Sequence, residues 1–178
     1  MEMDIIREYT ARITGHGSIP VREGTSLLDL KNMYICDENP LRPVVGALYN
    51  HRVSGLEYRI RRNCTVSFLN TASEEGADIY RRSLSMLLHA AFIQVEHQGA
   101  TLKIEHSLSR GFYYTYLNGK DLTPERVARI EEQMHMLVDQ NLPFEKREVE
   151  IEDALDVFHR IGAWDRYYLL RYSVKPKV

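Results

Sequence analysis

The chain has 178 residues, 44% apolar and 27% charged, with a net charge of −2. That suits one large domain or two small ones and exerts no global pull on nucleic acid, leaving only local basic patches. Two cysteines, Cys36 and Cys64, exclude a disulfide framework, and neither sits in a CxxC pair, so the expected setting is reducing and cytoplasmic. No apolar run approaches the roughly 18 residues of a membrane span, and the first residues lack a signal-peptide pattern, so no membrane partner is expected.

In chain order, Ile5 to Ile13 places Tyr9, Ala11 and Ile13 at alternate positions and predicts a strand. Gly15-His16-Gly17 is a turn, and Ser18 to Val21 returns as its partner. Gly24-Thr25-Ser26 opens a short helix, with Thr25 or Ser26 as N-cap and Leu27, Leu28 and Leu30 as the buried face. Val44 to Tyr49 predicts a compact strand, Asn50-His51 a hairpin turn, and Cys64 to Leu69 a late strand. Ser73-Glu74-Glu75-Gly76 reads as a linker. From Asp78 a helix presents Ile79, Leu84, Met86, Leu87, Ala90, Ala91 and Ile93, and Gly99 ends it. Leu102 to Leu108 and the aromatic run Gly111 to Tyr116 predict two strands, with Asn118-Gly119 as a turn. Thr123 as N-cap and Pro124 at the first helical position begin a helix with a core stripe of Val127, Ile130, Met134, Leu137 and Val138. Asn141-Leu142-Pro143 stops it. Phe144 to Val149 reads as a strand and Ile151 to Ile161 as a helix ended by Gly162. Tyr167 to Tyr172 reads as a strand, which suggests a chain cut from something longer.

The expected fold class is therefore α+β. Residues 1–72 have the element order of a β-grasp module, and residues 73–178 form a two-layer domain of sheet and three helices.

Arg110 to Tyr114, Leu122-Thr123-Pro124-Glu125 and Ile130 to Met134 together resemble the second N-terminal domain of threonyl-tRNA synthetases. Phe144 to Val149 and Glu152-Asp153-Ala154 look like its next strand and acidic helix start. Val44 to Leu69 resembles the second half of the TGS domain, the β-grasp module that precedes it. The resemblance implies an editing-like fold over residues 73–178, truncated at its C-terminus. It also implies where editing chemistry would sit. Arg82 and Met86 stand where the synthetase helix carries His-x-x-x-His, and His89 falls three residues after the second. A Cys-x-x-x-His segment would lie beyond Val178, and Thr115 replaces an aspartate. A guanidinium is neither a metal ligand nor a base near neutral pH, and a thioether substitutes poorly for an imidazole. No catalytic residue and no metal site are therefore assigned.

The helix Tyr80 to Ala90 also resembles that of bacterial uridine kinase-like nucleoside kinases, in which both modules precede a P-loop domain. No GxxxxGK[ST] occurs in the chain. On this resemblance the chain is a regulatory or substrate-sensing region whose partner is a C-terminal kinase domain, with ATP and Mg as that domain's cofactors and none here. The alternatives are an RNA (tRNA)-binding module of a threonyl-tRNA synthetase-like protein and a hydrolytic aminoacyl-tRNA editing domain.

The residues proposed to meet a nucleotide or RNA ligand are Arg82, His89, Tyr113 and Lys146. Each has a plainer reading. His89, His97 and His106 can be ordinary histidines, and none of the seven histidines pairs at i, i+4 to suggest a metal. Arg59, Arg61, Arg62, Arg81 and Arg82 can form a basic strip, or a mixed surface with Glu57, Glu74, Glu75 and Asp78. Phe112, Tyr113, Tyr114 and Tyr116 can stack a base, or fill the core against Met134 and Leu137. Lys146 and Arg147 fall where the synthetase domain is basic, or alternate with Glu145 and Glu148 on an edge strand. Arg166-Tyr167-Tyr168 can be a packing surface for a following domain.

Overall fold

A computed structural model of the chain describes residues 7–35, 39–96, 100–108, 111–117, 121–145, 147–173 and 178. The chain divides into two compact units, Met1–Asp139 and Gln140–Val178. The fold is α+β.

The first unit begins with β1 (Glu8–Ile13), β2 (Gly17–Arg22), α1 (Leu27–Tyr34), β3 (Val44–Tyr49), β4 (Arg52–Ser54) and β5 (Cys64–Asn70). The five strands form one mixed sheet in the order β2-β1-β5-β3-β4, with β1 and β5 parallel and every other pair antiparallel. This is the β-grasp arrangement. Alternation along the strands sends Ala11, Ile13, Val21, Ala47, Tyr49 and Val66 to one face, where Leu27 and Leu30 of α1 complete the core. Leu28, expected on that face, is 39% exposed, because it lies 100° round the helix from Leu27. Ser26 is the N-cap, and a reciprocal capping box joins it to Asp29. Asn50 and His51 both adopt positive φ, 48° and 65°, as a two-residue hairpin turn requires. Asn50 Oδ1 then accepts from the Thr65 amide at 2.9 Å and ties that turn to β5.

The expected linker at Ser73–Gly76 is instead the start of α2 (Glu74–Val95). Asn70 Oδ1 accepts from the Ala72 amide, and Ser73 caps the helix by accepting from the Gly76 amide. Gly76 reads as a breaker but serves close approach: a Cβ there would overlap the Asn70 carbonyl. A Cβ at Gly46 would likewise come within 2.7 Å of Ile79 Cδ1, so the first turns of α2 lie against β3 and β5.

Two strands, β6 (Thr101–Leu108) and β7 (Gly111–Leu117), form an antiparallel pair with an irregularity between Ile104 and His106. With α2 and α3 (Pro124–Asp139) they make the second layer, cored by Ala91, Phe92 and Ile130 with Leu88, Leu102, Tyr116, Met134 and Leu137 packed round it. Of the α2 face expected to be buried, Ala91 is buried and Ile79 and Leu87 are half-buried, but the rest is exposed. Leu84, Met86 and Ile93 are 43%, 59% and 73% exposed, while Gly76, Ser85, Ala91 and Phe92 are buried. Polar side chains on the inner face invert the hydrophobic pattern. On α3, Val127 and Val138 are 45% and 57% exposed. Gly99 and Asn118-Gly119 lie outside the described residues.

The second unit contains α4 (Ile151–Arg160) and α5 (Trp164–Arg171). Gly162, at φ 71°, turns the chain between them. The strand expected over Phe144–Val149 does not form among the described residues. The backbone of Val149 pairs in both directions with that of Val178 (3.0 and 3.1 Å). A strand needs a partner along its length, and the exposed Glu145–Arg147 pair offers none. Tyr167–Tyr172, expected as a strand, falls largely in α5. A six-residue apolar run fits either period, and Trp164, Tyr167 and Tyr168 recur at helical spacing.

Candidate functional site

The inner face of α2 carries Ser85 and His89, one turn apart, towards β6 and β7. Tyr114 donates from its hydroxyl to Ser85 Oγ at 2.8 Å, and Ser85 Oγ donates back to the Arg81 carbonyl at 3.0 Å. His89 stands between two backbone carbonyls, Ser85 O at 2.9 Å from Nδ1 and Leu102 O at 3.0 Å from Nε2. The neutral ring has one N–H and donates to one of them at a time. An oxygen at each nitrogen bars a metal or an attacking water from either position. His89 is thus a strut between helix and hairpin, and its ring lies 6.0 Å from that of Tyr114.

A second polar cluster closes the far end of the layer. Tyr116 donates to Glu96 Oε2 at 2.7 Å, and Arg126 donates to the Tyr116 oxygen at 3.1 Å while pairing with Glu96 at 3.3 Å. The Glu96 side chain is only 4% exposed, so this ion pair joins α2, β7 and α3 with little solvent screening. The hydrogen bond to the Glu96 carboxylate, helped by burial, holds the Tyr116 phenol above its ordinary range. Sequence reasoning missed Ser85, Glu96 and Arg126. The one available signal was the Ser85–His89 spacing, which puts two polar groups on one helix face.

The structure does not bring the four proposed ligand residues together. Arg82 is exposed on α2, about two turns before His89, and makes no hydrogen bond or ion pair with the described residues. Met86, also exposed, does not fill a core either. Tyr113 points outward from β7, 52% exposed, and its ring stacks on that of His106 at 5.3 Å and 28°. Beside that stack, Lys103 pairs with Glu105 at 3.2 Å, and hydrogen bonds from Lys103 and Thr115 hold the Glu105 carboxyl below its ordinary range. Lys146 and His97 lie outside the described residues. The arginine strip is dispersed as well: Arg59 donates to the Gly24 carbonyl, and Arg81 pairs with Asp78. Phe112, Tyr114 and Tyr116 turn inward, as the core reading expects.

Among the described residues no set of three His, Cys, Asp or Glu side chains is placed to hold a metal. No helix of described residues is long and apolar enough to cross a membrane.

No family model matches the chain. Threonine–tRNA ligases do resemble it. The one from Thermotoga neapolitana is 30% identical over 131 residues, which is 72% of this chain and 20% of the relative. Those from Desulforamulus reducens and Natranaerobius thermophilus are 27% and 26% identical over 137 and 142 residues, or 77% and 80% of this chain and 21% and 22% of the relatives. The chain spans about a fifth of the length of the relatives it matches. It is similar to a threonine–tRNA ligase segment through most of its own length, and the kinase resemblance has no counterpart among these relatives.

Proposed function

We propose that the chain is a tRNA-contacting module of a threonyl-tRNA synthetase-like protein, one that binds without hydrolysing. The supporting observation is the similarity to threonine–tRNA ligases over 131 residues. The absence of hydrolysis in this proposal rests on His89, the imidazole of α2, having a carbonyl at each nitrogen. Contact with RNA falls on the outward side of the β6–β7 pair, where the Tyr113–His106 stack offers an aromatic face to an unpaired base. Arg82, exposed and unpaired among the described residues, supplies a phosphate contact. The regulatory region of a nucleoside kinase is the weaker reading, since the relatives found are threonine–tRNA ligases.

Filter binding with a threonine tRNA transcript tests the proposal. Affinity should fall linearly with the logarithm of salt. Tyr113→Ala should weaken binding about fivefold or more, and Arg82→Ala should lower the salt slope by about one. Binding no tighter than that of an unrelated acidic protein at low salt would overturn it.

A further inference from the structure

Residues 40–73 of the β-grasp module hold Arg42, Arg52, Arg59, Arg61 and Arg62 against a single acidic residue, Glu57, in a chain whose net charge is −2. Arg59 is tied to the Gly24 carbonyl at 3.0 Å. Arg52 and Arg62 are exposed and pair with no carboxylate among the described residues. The fold gathers these two around Tyr49. Arg52, on β4, is the cross-strand partner of Tyr49, so both side chains leave the sheet on the same face. Burial holds the Tyr49 phenol above its ordinary range, and the charge of Arg62 acts on it in the opposite direction. Tyr58 completes the group. Its ring centroid lies 4.6 Å from that of Tyr49 at 45°, and it is 44% exposed where Tyr49 is 5% exposed.

The loop that carries Tyr58 and Arg62 is pinned along its length. The Tyr58 carbonyl accepts from the Leu27 amide at 3.0 Å, and Ile60, fully buried, accepts from Gly24 at 2.8 Å and donates to Thr25 at 2.9 Å. Asn63 Oδ1 then accepts from the Thr10 amide at 2.9 Å. A backbone fixed before any ligand arrives lowers the ordering cost of binding. Guanidinium forks suit phosphate oxygens, and an exposed tyrosine ring takes a base on its open face. Two such forks beside one ring match the phosphates and base of an unpaired strand. We propose that Arg52, Tyr58 and Arg62 form a second RNA contact, on the β-grasp module, for a single-stranded segment. It rests on the RNA-binding reading but not on the β6–β7 stack.

Filter binding of a threonine tRNA transcript to the whole chain, across a salt series, tests the contact. Arg52→Gln/Arg62→Gln should lower the salt slope by about two and weaken binding about tenfold at physiological salt. Tyr58→Leu, which keeps an apolar cover over Tyr49, should weaken binding about fivefold and leave the slope alone. Arg42→Gln removes the same charge at the opposite end of β3 from Tyr49 and should change neither. Ultraviolet cross-linking of the wild-type chain to the transcript should mark Tyr58, a readout that needs no variant. An unchanged slope in the double variant, an equal loss in Arg42→Gln, or cross-links that avoid residues 52–62 would each overturn the inference and leave the β6–β7 contact standing. So would a nucleoside monophosphate that competes as well as the transcript, since it would make the site a nucleotide pocket. A wild-type chain that does not bind the transcript would overturn the RNA reading itself, and this inference with it.

Discussion

The β-grasp sheet and the α2–hairpin layer share one compact unit, yet different forces hold them. Around α1, Ile13, Leu27, Leu30, Ile60 and Val66 are each below 2% exposure, and the core is apolar throughout. Burying a side chain of that size contributes about 2 kcal/mol. In the second layer the buried apolar side chains among the described residues are Ala91, Phe92 and Ile130, and much of the joining is polar: His89 between two carbonyls, Tyr114 on Ser85, and Glu96 with Tyr116 and Arg126. Polar joints fix geometry but add little net stability, because each bond replaces one to water.

If that contrast holds, mutations should separate the two regions. Leu30→Ala should cost about 3 kcal/mol in urea unfolding, from lost burial and the cavity left under the sheet. Gly76→Val should cost about 2 kcal/mol or more and loosen α2 from β5, because the new Cβ meets the Asn70 carbonyl. A Gly76 variant of wild-type stability would restore the flexible-linker reading of Ser73–Gly76. Ser26→Ala should cost about 1 kcal/mol by removing the α1 N-cap and its half of the capping box with Asp29.

The smallest effect at neutral pH concerns Tyr116. Its phenol is raised above the ordinary value by the hydrogen bond to Glu96, so the folded state holds this proton more tightly than the unfolded state does. The resulting stability is fully present below about pH 10 and is lost as pH rises through the higher folded value. Thermal unfolding of wild type and Tyr116→Phe should therefore differ by a constant amount up to about pH 9 and converge above pH 10. A difference that stayed constant into alkali would remove the proton from the account.

The β-grasp half was legible because its signals agree locally. Alternating strands, the Ser26 cap and the Asn50-His51 turn each point to the observed element. The second layer was less legible. On α2 the polar Ser85 and His89 face inward and the apolar Met86 and Ile93 outward, so periodicity placed Ala91 but not these neighbours. Gly76 stood for close packing and was read as a break. In the second unit, Tyr167–Tyr172 is short enough to fit either period, and tertiary context made it helical. The site was legible only in outline. Tyr113 is exposed and stacked on His106, whereas Arg82 is exposed about two turns along α2 from the hydrogen-bonded His89. Ser85, Glu96 and Arg126 carried no motif that would single them out.

The proposed non-hydrolytic reading rests on the α2–β7 interface, where His89 has a carbonyl at each ring nitrogen. Release of the amino acid from a mischarged threonine tRNA, followed over time with the chain in excess under conditions where it binds the tRNA, tests this directly. The account predicts release at the uncatalysed rate, unchanged by His89→Gln. Release that accelerates with protein concentration and disappears in His89→Gln would contradict it.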